Sequence, residues 1–364
     1  MVADRAISFQ SSGDPRVNGY ERVRTALERR KTPDRVPMME LVVDEAVMKA
    51  IYPGCSYYEF ADRFGLDAVG LNRSTWEKTK VHWVDEEKKL FRDKWGVLRG
   101  FTAESSPYPV EAPIKTAEDL KHYTPPDPNG PEALGHLPEV VARYKGKKAI
   151  FFMARDAYFN PAHIRGVENF LMDIVLNPRL VHDLIEVCQT HDLVQIRRAA
   201  AAGADFIVLG DDYADKNSPF MSPAHFRDLF LPGLKRAVDA AHEAGAFVIK
   251  HTDGNINPIL DMIVETGVDG LHAIEPPAGM SLRAIRERYG NRLCLCGNVD
   301  CGPLLTWGSP REVKAAVRQC FKDAARRGAY ILASSNSIHS SVKPENFVAM
   351  REARDEFGTY PLKL

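Results

Sequence analysis

The sequence predicts an α/β fold, a single TIM-type (β/α)8 barrel of parallel strands. Eight short apolar or β-branched runs alternate with helical stretches, and in the second half of the chain they recur roughly every 20 to 40 residues. No Gly-x-Gly-x-x-Gly segment follows any run, so an open dinucleotide-binding sheet is the less favoured arrangement. The predicted strands are VPMMELVV (36–43), DAVGLN (67–72), AIFFMARD (149–156), DFIVLGDDY (205–213), AFVIKHTDGN (246–255), GLHAIEPP (270–277), LCLCGNVD (293–300) and AYILASSNS (329–337).

The other elements follow from local patterns. The polar segment 1–16 is expected to be a tail, and Tyr20–Arg30 predicts an amphipathic helix that the Thr-Pro-Asp-Arg-Val-Pro segment at 32–37 ends. Pro178–Ala202 and Pro223–Ala244 predict helices that connect consecutive strands. We therefore expect one barrel domain over residues 17–364.

A long interval, residues 74–148, interrupts the alternation of strands and helices. Its first part, WEKTKVHWVDEEKKLFRDKWGVLRGFTAE, alternates in the manner of hairpin strands, and a proline-rich stretch, YTPPDPNGP, follows. We expect this interval to be an insertion that contains a hairpin and caps the barrel mouth.

Composition indicates a globular cytoplasmic protein. The 364 residues are 27% charged and 45% hydrophobic, and 48 basic against 49 acidic side chains give a net charge of -1, so nucleic acid is not an expected partner. No apolar run approaches the roughly 18 residues that span a bilayer, and the first residues lack the apolar core of an export signal. The six cysteines lack the spacing of a disulfide framework, so we expect free thiols.

Polar side chains are concentrated at the carboxyl ends of the predicted strands. In a (β/α)8 barrel these ends and the loops after them form one shared cup, where the active site lies. The strand ends therefore nominate the site residues. They are Glu40, Asn72, Arg155, Asp156, Asp211, Asp212, His251, Asp253, His272, Glu275, Asn298, Asp300, Asn336 and His339.

The HTDGN segment at 251–255 is a candidate metal site. His251 and Asp253 are two residues apart, so on extended backbone both side chains leave the same face of the strand and can reach one ion or substrate group. The alternative is structural: Asp253 caps the helix that begins near Asn257 while Gly254 supplies a turn.

Two further strand ends carry candidate side chains. His272 and Glu275 are three residues apart, so we expect only Glu275 to enter the cup unless the chain bends before Pro276; an ion pair with Arg283 is its structural alternative. Asp211 and Asp212 follow a buried strand, and we expect one of the two carboxylates to face the cup. A base, a substrate anchor and a structural cap all fit this pair.

From about residue 18 onward the chain resembles the uroporphyrinogen decarboxylase superfamily, which consists of single (β/α)8 barrels and includes corrinoid-dependent methyltransferases. The segments that carry the resemblance are PDRVP, GDD at 210–212, HTDGN, YGNRLCLCGNVD at 289–300 and SVKPENF at 341–347. The resemblance implies a barrel enzyme, and the association known in the superfamily is either a homodimer or a complex with a corrinoid protein.

Departures from the superfamily pattern narrow the implied reaction. The porphyrin enzyme carries an arginine-rich segment after its first strand, whereas this chain has Glu40, Asp44 and Glu45 there, and Asn336 stands at the position of its substrate-binding histidine. Acidic groups at that place would repel a polycarboxylate. In the thiol methyltransferases a His-x-Cys segment and a later cysteine hold zinc; here His251 matches, but Asp253 and Asn336 replace the cysteines.

The resemblance therefore implies a methyltransferase with a harder metal site, which takes a methyl group from a small donor such as a methyl ether and passes it to a corrinoid on a partner protein. In this hypothesis His251, Asp253 and Glu275 hold Zn²⁺, Asp212 and His339 serve as acid or base, and the remaining predicted residues bind substrate. The substrate-binding residues are Glu40, Arg155, Asp211, Asn298 and Asn336.

Two alternatives remain open on the sequence alone. One is a metal-free decarboxylase of uroporphyrinogen or of a smaller acid, in which Arg155 clamps the carboxylate and Asp212 manages the proton. The other is a barrel that binds a tetrapyrrole or a corrinoid partner without catalysing a reaction.

Overall fold

The computed structural model describes residues 17–71, 83–102 and 107–364. The predicted tail 1–16, Asn72 and part of the 74–148 interval lie outside the described residues. In chain order the strands of the described part are β1 (Ala68–Val69), β2 (Trp83–Asp85), β3 (Leu90–Arg92), β4 (Leu98–Gly100), β5 (Tyr108–Glu111), β6 (Ala149–Ala154), β7 (Phe206–Gly210), β8 (Phe247–Thr252), β9 (Gly270–Ala273), β10 (Cys294–Cys296) and β11 (Tyr330–Ile331).

The α-helices of the described residues mostly connect these strands. They are α1 (Gly19–Glu28), α2 (Glu45–Ile51), α3 (Tyr57–Phe64), α4 (Ala117–His122), α5 (Leu137–Tyr144), α6 (Phe159–Arg165), α7 (Val167–Leu176), α8 (Pro178–Ala202), α9 (Pro223–His225), α10 (Leu231–Glu243), α11 (Leu260–Glu265), α12 (Leu282–Tyr289), α13 (Pro303–Trp307), α14 (Pro310–Cys320) and α15 (Pro344–Phe357). Among the described residues no helix has the length and apolar character needed to cross a membrane.

Seven strands form a parallel sheet in the order β1-β6-β7-β8-β9-β10-β11. Seven of the eight predicted runs supply these strands, while the first run, 36–43, forms no regular strand in the described part of the chain. Its backbone nevertheless bonds to both edges of the sheet: Asp67 donates to the Met38 carbonyl at 2.8 Å, and Leu332 donates to the Pro37 carbonyl at 2.8 Å. Pro37 has no N–H to donate, which limits this ladder. The arrangement is consistent with a TIM-type barrel.

Side chains of the parallel strands alternate between two separate apolar clusters. Phe206 and Val208 of β7 belong to a small cluster that also contains Ile249 and Cys294, whereas Ile207 and the other intervening residues pack into the large cluster that includes the helices. The small cluster is the inside of the curled sheet, because successive strand residues face opposite sides. Positions of the same parity further along each strand therefore face the cup.

The PDRVP segment is structural and lies at the amino ends of the strands. Asp34 binds Arg22 of α1 at 2.7 Å, and Arg35 lies 3.4 Å from the buried Asp67 carboxylate. Asp67 also lies 3.6 Å from Arg354 of α15. Burial alone would raise the pKa of Asp67, but the three surrounding guanidinium groups lower it below its ordinary value. This charge network connects the first and last helices to the sheet.

An antiparallel sheet, β2-β3-β4-β5, lies in the interval where the sequence predicts hairpin strands. Arg99 of β4 pairs with Asp93 at 2.5 Å and approaches His163 of α6 at 3.2 Å. The guanidinium of Arg99 lies 5.9 Å from the Phe159 ring centroid. The sheet therefore packs against the start of α6, which follows the carboxyl end of β6.

Candidate functional site

Three ionisable side chains meet at the carboxyl ends of β7 and β8. His251 Nε2 lies 3.6 Å from Asp212 Oδ1 and 3.7 Å from Asp253 Oδ1. One ligand atom of each residue lies within 4.8 Å of the other two, and no other such group of metal-ligating side chains occurs among the described residues. The two-residue spacing that predicts His251 and Asp253 on one face agrees with this arrangement. We refer to Asp212, His251 and Asp253 as the carboxylate–histidine cluster.

A second histidine contacts the cluster from the neighbouring strand. His272 of β9 pairs in register with His251, and the two Nδ1 atoms are 2.7 Å apart. Ile274 adopts a φ of 56°, so the extended backbone ends before Pro276. This bend is the condition under which both His272 and Glu275 can reach the cup. His272 is fully buried, and its ring contacts His251 rather than solvent.

The carboxyl groups of the cluster have no Lys or Arg ion-pair partner among the described residues. The buried Oδ1 of Asp253 has no hydrogen-bond partner, and among the described residues no Lys or Arg nitrogen lies within 4.0 Å of Asp212 or Asp253. Burial raises the pKa of both carboxyl groups, and for Asp253 the nearby Asp212 and Glu275 raise it further. Burial, with Lys250 and Arg155 nearby, lowers the pKa of His251 to about 3. A neutral imidazole therefore faces two carboxyl groups, the combination that a divalent metal ion binds.

The HTDGN loop is shaped by its glycine. Gly254 has a φ of +81°, and a Cβ there would lie 2.4 Å from the Asp215 carbonyl oxygen. The Gly254 N–H donates to Glu275 Oε2 at 3.0 Å. Asn255, rather than Asp253, accepts the hydrogen bond from the Asn257 N–H at the start of the next helical turn. Asp253 is thus not the helix cap that the structural alternative requires.

Glu275 approaches the cluster without joining it. Its carboxylate accepts the Gly254 N–H, and the group of mutually close ligand atoms contains Asp212 instead. Arg283, the alternative ion-pair partner of Glu275, binds Asp323 at 2.8 Å. Metal ligation by Glu275 stays a prediction.

Asp211 and Asp212 have different surroundings. Asp211 is fully buried, and its Oδ2 accepts the backbone N–H groups of Tyr158 at 2.8 Å and Phe159 at 2.9 Å. These N–H groups belong to the first residues of α6 or precede it, where a helix lacks intrahelical acceptors. Asp212 points into the cluster and has a side chain that is 42% exposed. One carboxylate thus supports the loop while the other faces the cup.

A buried ion pair supports the strand ends from the outer side. Lys250 Nζ donates to Asp156 Oδ2 at 2.7 Å and to the Asp211 carbonyl at 2.8 Å, and both side chains are completely buried. The Tyr213 hydroxyl donates to the other oxygen of Asp156. Such buried charges are tolerated only when their hydrogen bonds are satisfied. The network holds the ends of β6, β7 and β8 together.

Arg155 lies beside the cluster at the end of β6. Its guanidinium carbon is 3.4 Å from the Phe159 ring centroid, and Nη1 donates to the Gly210 carbonyl and lies 3.8 Å from Asp211 Oδ1. The positive charge of Arg155 lowers the pKa of His251 and opposes the rise at Asp212. Arg155 therefore shares an electrostatic environment with the cluster.

The remaining predicted site residues contact the protein itself. Asn336 Nδ2 donates to Asp253 Oδ2, whereas Asn298 Nδ2 donates to the Ile274 carbonyl at 2.7 Å. His339 Nε2 lies 3.1 Å from the Cys301 carbonyl. Substrate binding by Asn298 and Asn336 and proton transfer by His339 stay predictions.

Glu40 lies at a separate position inside the strand ends. It is completely buried, and its carboxyl oxygens accept hydrogen bonds from the Ser334 N–H at 2.9 Å and the Ser334 hydroxyl at 2.7 Å. Burial raises the pKa of Glu40 to about 8, although the two hydrogen bonds act to lower it. Substrate binding by Glu40 stays a prediction.

Sequence reasoning did not identify His272 as the partner of His251, and it missed the supporting role of Lys250. We expected only Glu275 to enter the cup unless the chain bends before Pro276; the chain bends at Ile274, and His272 makes the direct contact with His251. The register of two adjacent parallel strands could have indicated this pair, since His251 and His272 occupy equivalent positions. The Lys250–Asp156 pair has no sequence signal beyond a lysine inside an apolar strand.

The fold and the site together define a class of protein. A curled parallel sheet carries a histidine and two carboxylates at the carboxyl ends of its strands, where TIM-type barrel enzymes have their active sites. The family model described as uroporphyrinogen decarboxylase (URO-D) matches residues 96–357. The chain therefore belongs to the uroporphyrinogen decarboxylase family, and the predicted resemblance, with its expectation of an enzyme, is confirmed.

Individual relatives include both methyltransferases and decarboxylases. The chain is 27% identical over 191 residues to a methylated-thiol–coenzyme M methyltransferase of Methanosarcina mazei, covering 52% of this chain and 50% of the relative. It is also 27% identical over 191 residues to a uroporphyrinogen decarboxylase of Chlorobium luteolum, covering 50% of this chain and 51% of that enzyme. The chain thus spans about half the length of these curated relatives.

A solved structure confirms the shared fold. A methyltransferase from Methanosarcina mazei superposes with a TM-score of 0.72 at 20% identity, covering 93% of this chain and 99% of that one. At this identity the likeness establishes the architecture and leaves the reaction to be argued from the site.

The buried carboxyl group of Glu40 predicts a pH-dependent stability. Because its folded-state pKa of about 8 lies above the ordinary value of 4.5, the stabilisation is complete below pH 4.5 and is lost as the pH rises through 8. Glu40→Gln, which stays neutral, should remove about 3 kcal/mol of the decline in unfolding free energy between pH 6 and pH 9. Urea unfolding at both pH values measures this change.

Glu45→Gln is the matched control, because Glu45 lies on α2 with a side chain that is 51% exposed. It should show the pH dependence of the wild type. An identical pH dependence in Glu40→Gln and wild type would contradict the assignment of a neutral carboxyl group to Glu40.

Proposed function

We propose that this protein is a metal-assisted methyltransferase that moves a methyl group from a small methylated donor, such as a methyl ether, to a corrinoid carried by a partner protein. The observation that carries the proposal is the carboxylate–histidine cluster, in which a buried Asp253 oxygen has no hydrogen-bond partner and faces His251 Nε2. The family membership and the methyltransferase among its relatives support the same reaction class.

The cluster fits a divalent ion with oxygen and nitrogen ligands. His251 and Asp253 would hold it, with Asp212 beside them in the cluster, and zinc suits an imidazole together with carboxylate oxygen. This donor set contains no sulfur, so it differs from a site that binds and activates a thiol. When bound, such an ion acts as a Lewis acid that polarises the donor's oxygen and makes it a better leaving group.

The protein's own residues orient the donor and manage one proton. The methyl–oxygen bond breaks, the methyl group passes to the reduced corrinoid, and the oxygen keeps the bonding electrons and takes a proton. Asp212 is half exposed and lies in the cluster, so its carboxyl group is placed to exchange this proton. Asn336 holds Asp253 through a hydrogen bond to Oδ2, which leaves Oδ1 directed at His251.

His272 is assigned the role of fixing the His251 ring. With His251 Nε2 directed at the two carboxyl groups, His251 Nδ1–H donates to His272 Nδ1 across 2.7 Å. A partner on the second nitrogen sets the tautomer and the ring orientation of a metal-binding histidine. His272 is therefore a positioning residue in this proposal, and it contacts no substrate.

Methyl transfer is tested with purified, zinc-supplemented protein, free cob(I)alamin and a panel of aryl methyl ethers. Loss of the Co(I) absorbance together with release of the demethylated phenol is expected, because the corrinoid takes the methyl group. Chelation should abolish the rate and zinc should restore it. His251→Ala with Asp253→Ala should be inactive and contain no zinc.

The control carries His182→Ala and Asp183→Ala, an exposed His–Asp pair on α8 with side chains 60% and 53% exposed. It should retain both zinc and activity. Equal zinc content in the cluster variant and the control would contradict the metal assignment, and release of carbon dioxide from carboxylated substrates would favour a decarboxylase instead.

The role of His272 predicts a difference between two substitutions. His272→Leu removes the acceptor for His251 Nδ1–H and should weaken zinc binding about 10- to 100-fold, whereas His272→Asn keeps an acceptor near the Nδ1 position and should restore most of the affinity. Competition with a chromophoric chelator measures both constants. Equal weakening in the two variants would show that His272 acts through packing alone.

A further inference from the structure

Arg155 presents an unused side of its guanidinium group to the cup. Nη1 is engaged by the Gly210 carbonyl and by Asp211 Oδ1 at 3.8 Å. Among the described residues, no oxygen accepts a hydrogen bond from Nε or Nη2, and neither nitrogen is sealed from solvent. The side chain is 19% exposed, so most of it is fixed by the protein while two donors remain available.

The guanidinium group is held in place before any ligand binds. Its carbon atom lies over the Phe159 ring, 3.4 Å from the centroid, and this cation–π contact holds the group in position. The Phe159 ring also makes an edge contact with the His163 ring, with centroids 3.8 Å apart, and this contact anchors it within α6. Such preorganisation lowers the entropy cost of binding a planar anion.

The ion pair with Asp211 uses only one nitrogen of Arg155, Nη1. Asp211, the only carboxylate within 4.0 Å of it among the described residues, already accepts backbone N–H groups through Oδ2. Arg99, the neighbouring cation of β4, is satisfied by Asp93 at 2.5 Å. Arg155 is thus the cation on this side of the cup with free donors in a fork arrangement, the geometry that matches a carboxylate.

We propose that the methyl donor is an anion whose carboxylate group binds Nε and Nη2 of Arg155, while its methylated oxygen lies at the carboxylate–histidine cluster. The inference names the substrate class and in that respect rests on the proposed methyl transfer. Methoxybenzoates are the simplest donors of this class. Asp212 and Asp253 lie at the other end of the site and offer no positive charge, so Arg155 distinguishes the carboxylate end of the donor from its methylated end.

The test measures equilibrium binding in the absence of turnover. Isothermal titration calorimetry compares 4-methoxybenzoate with 4-methoxybenzamide, a neutral molecule of the same shape, in zinc-loaded and in chelator-treated protein. Wild type should bind the acid at least about tenfold more tightly in both forms, because charge-assisted hydrogen bonds supply the difference. Arg155→Gln should lose this preference. The control is Arg283→Gln on α12, where the side chain is 62% exposed, and it should keep the preference.

Each other outcome has a definite meaning. No preference for the acid in wild type, or an undiminished preference in Arg155→Gln, overturns the inference. A preference that requires zinc and disappears in Asp253→Asn but persists in Arg155→Gln would place the carboxylate on the metal, which also overturns it. If the protein binds no zinc and transfers no methyl group but still prefers the acid in a manner that depends on Arg155, the proposed reaction is rejected and the anion site is kept.

Discussion

The whole site depends on the two-residue alternation of side chains along parallel strands. On β6, β7 and β8 the inward positions carry apolar residues over most of the strand and polar residues at its carboxyl end. The same parity that puts Val208 and Ile249 inside the curled sheet puts Asp212, His251 and Asp253 at its mouth. The same alternation of side chains therefore produces both the apolar interior and the polar cup.

Outward positions at the same strand ends have a supporting function. Lys250, Asp156 and Asp211 are buried there: Lys250 binds the Asp156 carboxylate and the Asp211 carbonyl, and Asp211 Oδ2 accepts backbone N–H groups. Because these residues alternate with the inward ones, each strand end supplies one group to the cup and one to the support. The carboxyl groups of the cup therefore do not need a cation of the protein to hold them in place, because the buried residues on the outward side of the strands keep the strand ends rigid.

The sequence predicts the general arrangement of the site better than its details. The spacing of His251 and Asp253 and the division of labour between Asp211 and Asp212 follow from strand alternation, and the structure has both. The irregular first strand and the bend at Ile274 depend on tertiary contacts and an unusual φ, which short-range patterns do not encode. Glu275 accepts the Gly254 N–H, and Asp212 rather than Glu275 completes the cluster.

The central claim is that a metal ion binds the carboxylate–histidine cluster, and anomalous diffraction from crystals grown with zinc tests it most directly. Data collected above and below the zinc edge should give one dominant anomalous peak per chain, about 2.0 to 2.2 Å from His251 Nε2 and from a carboxylate oxygen of Asp253. A zinc-soaked crystal without anomalous density at this position, while zinc binds elsewhere on the surface, would contradict the account.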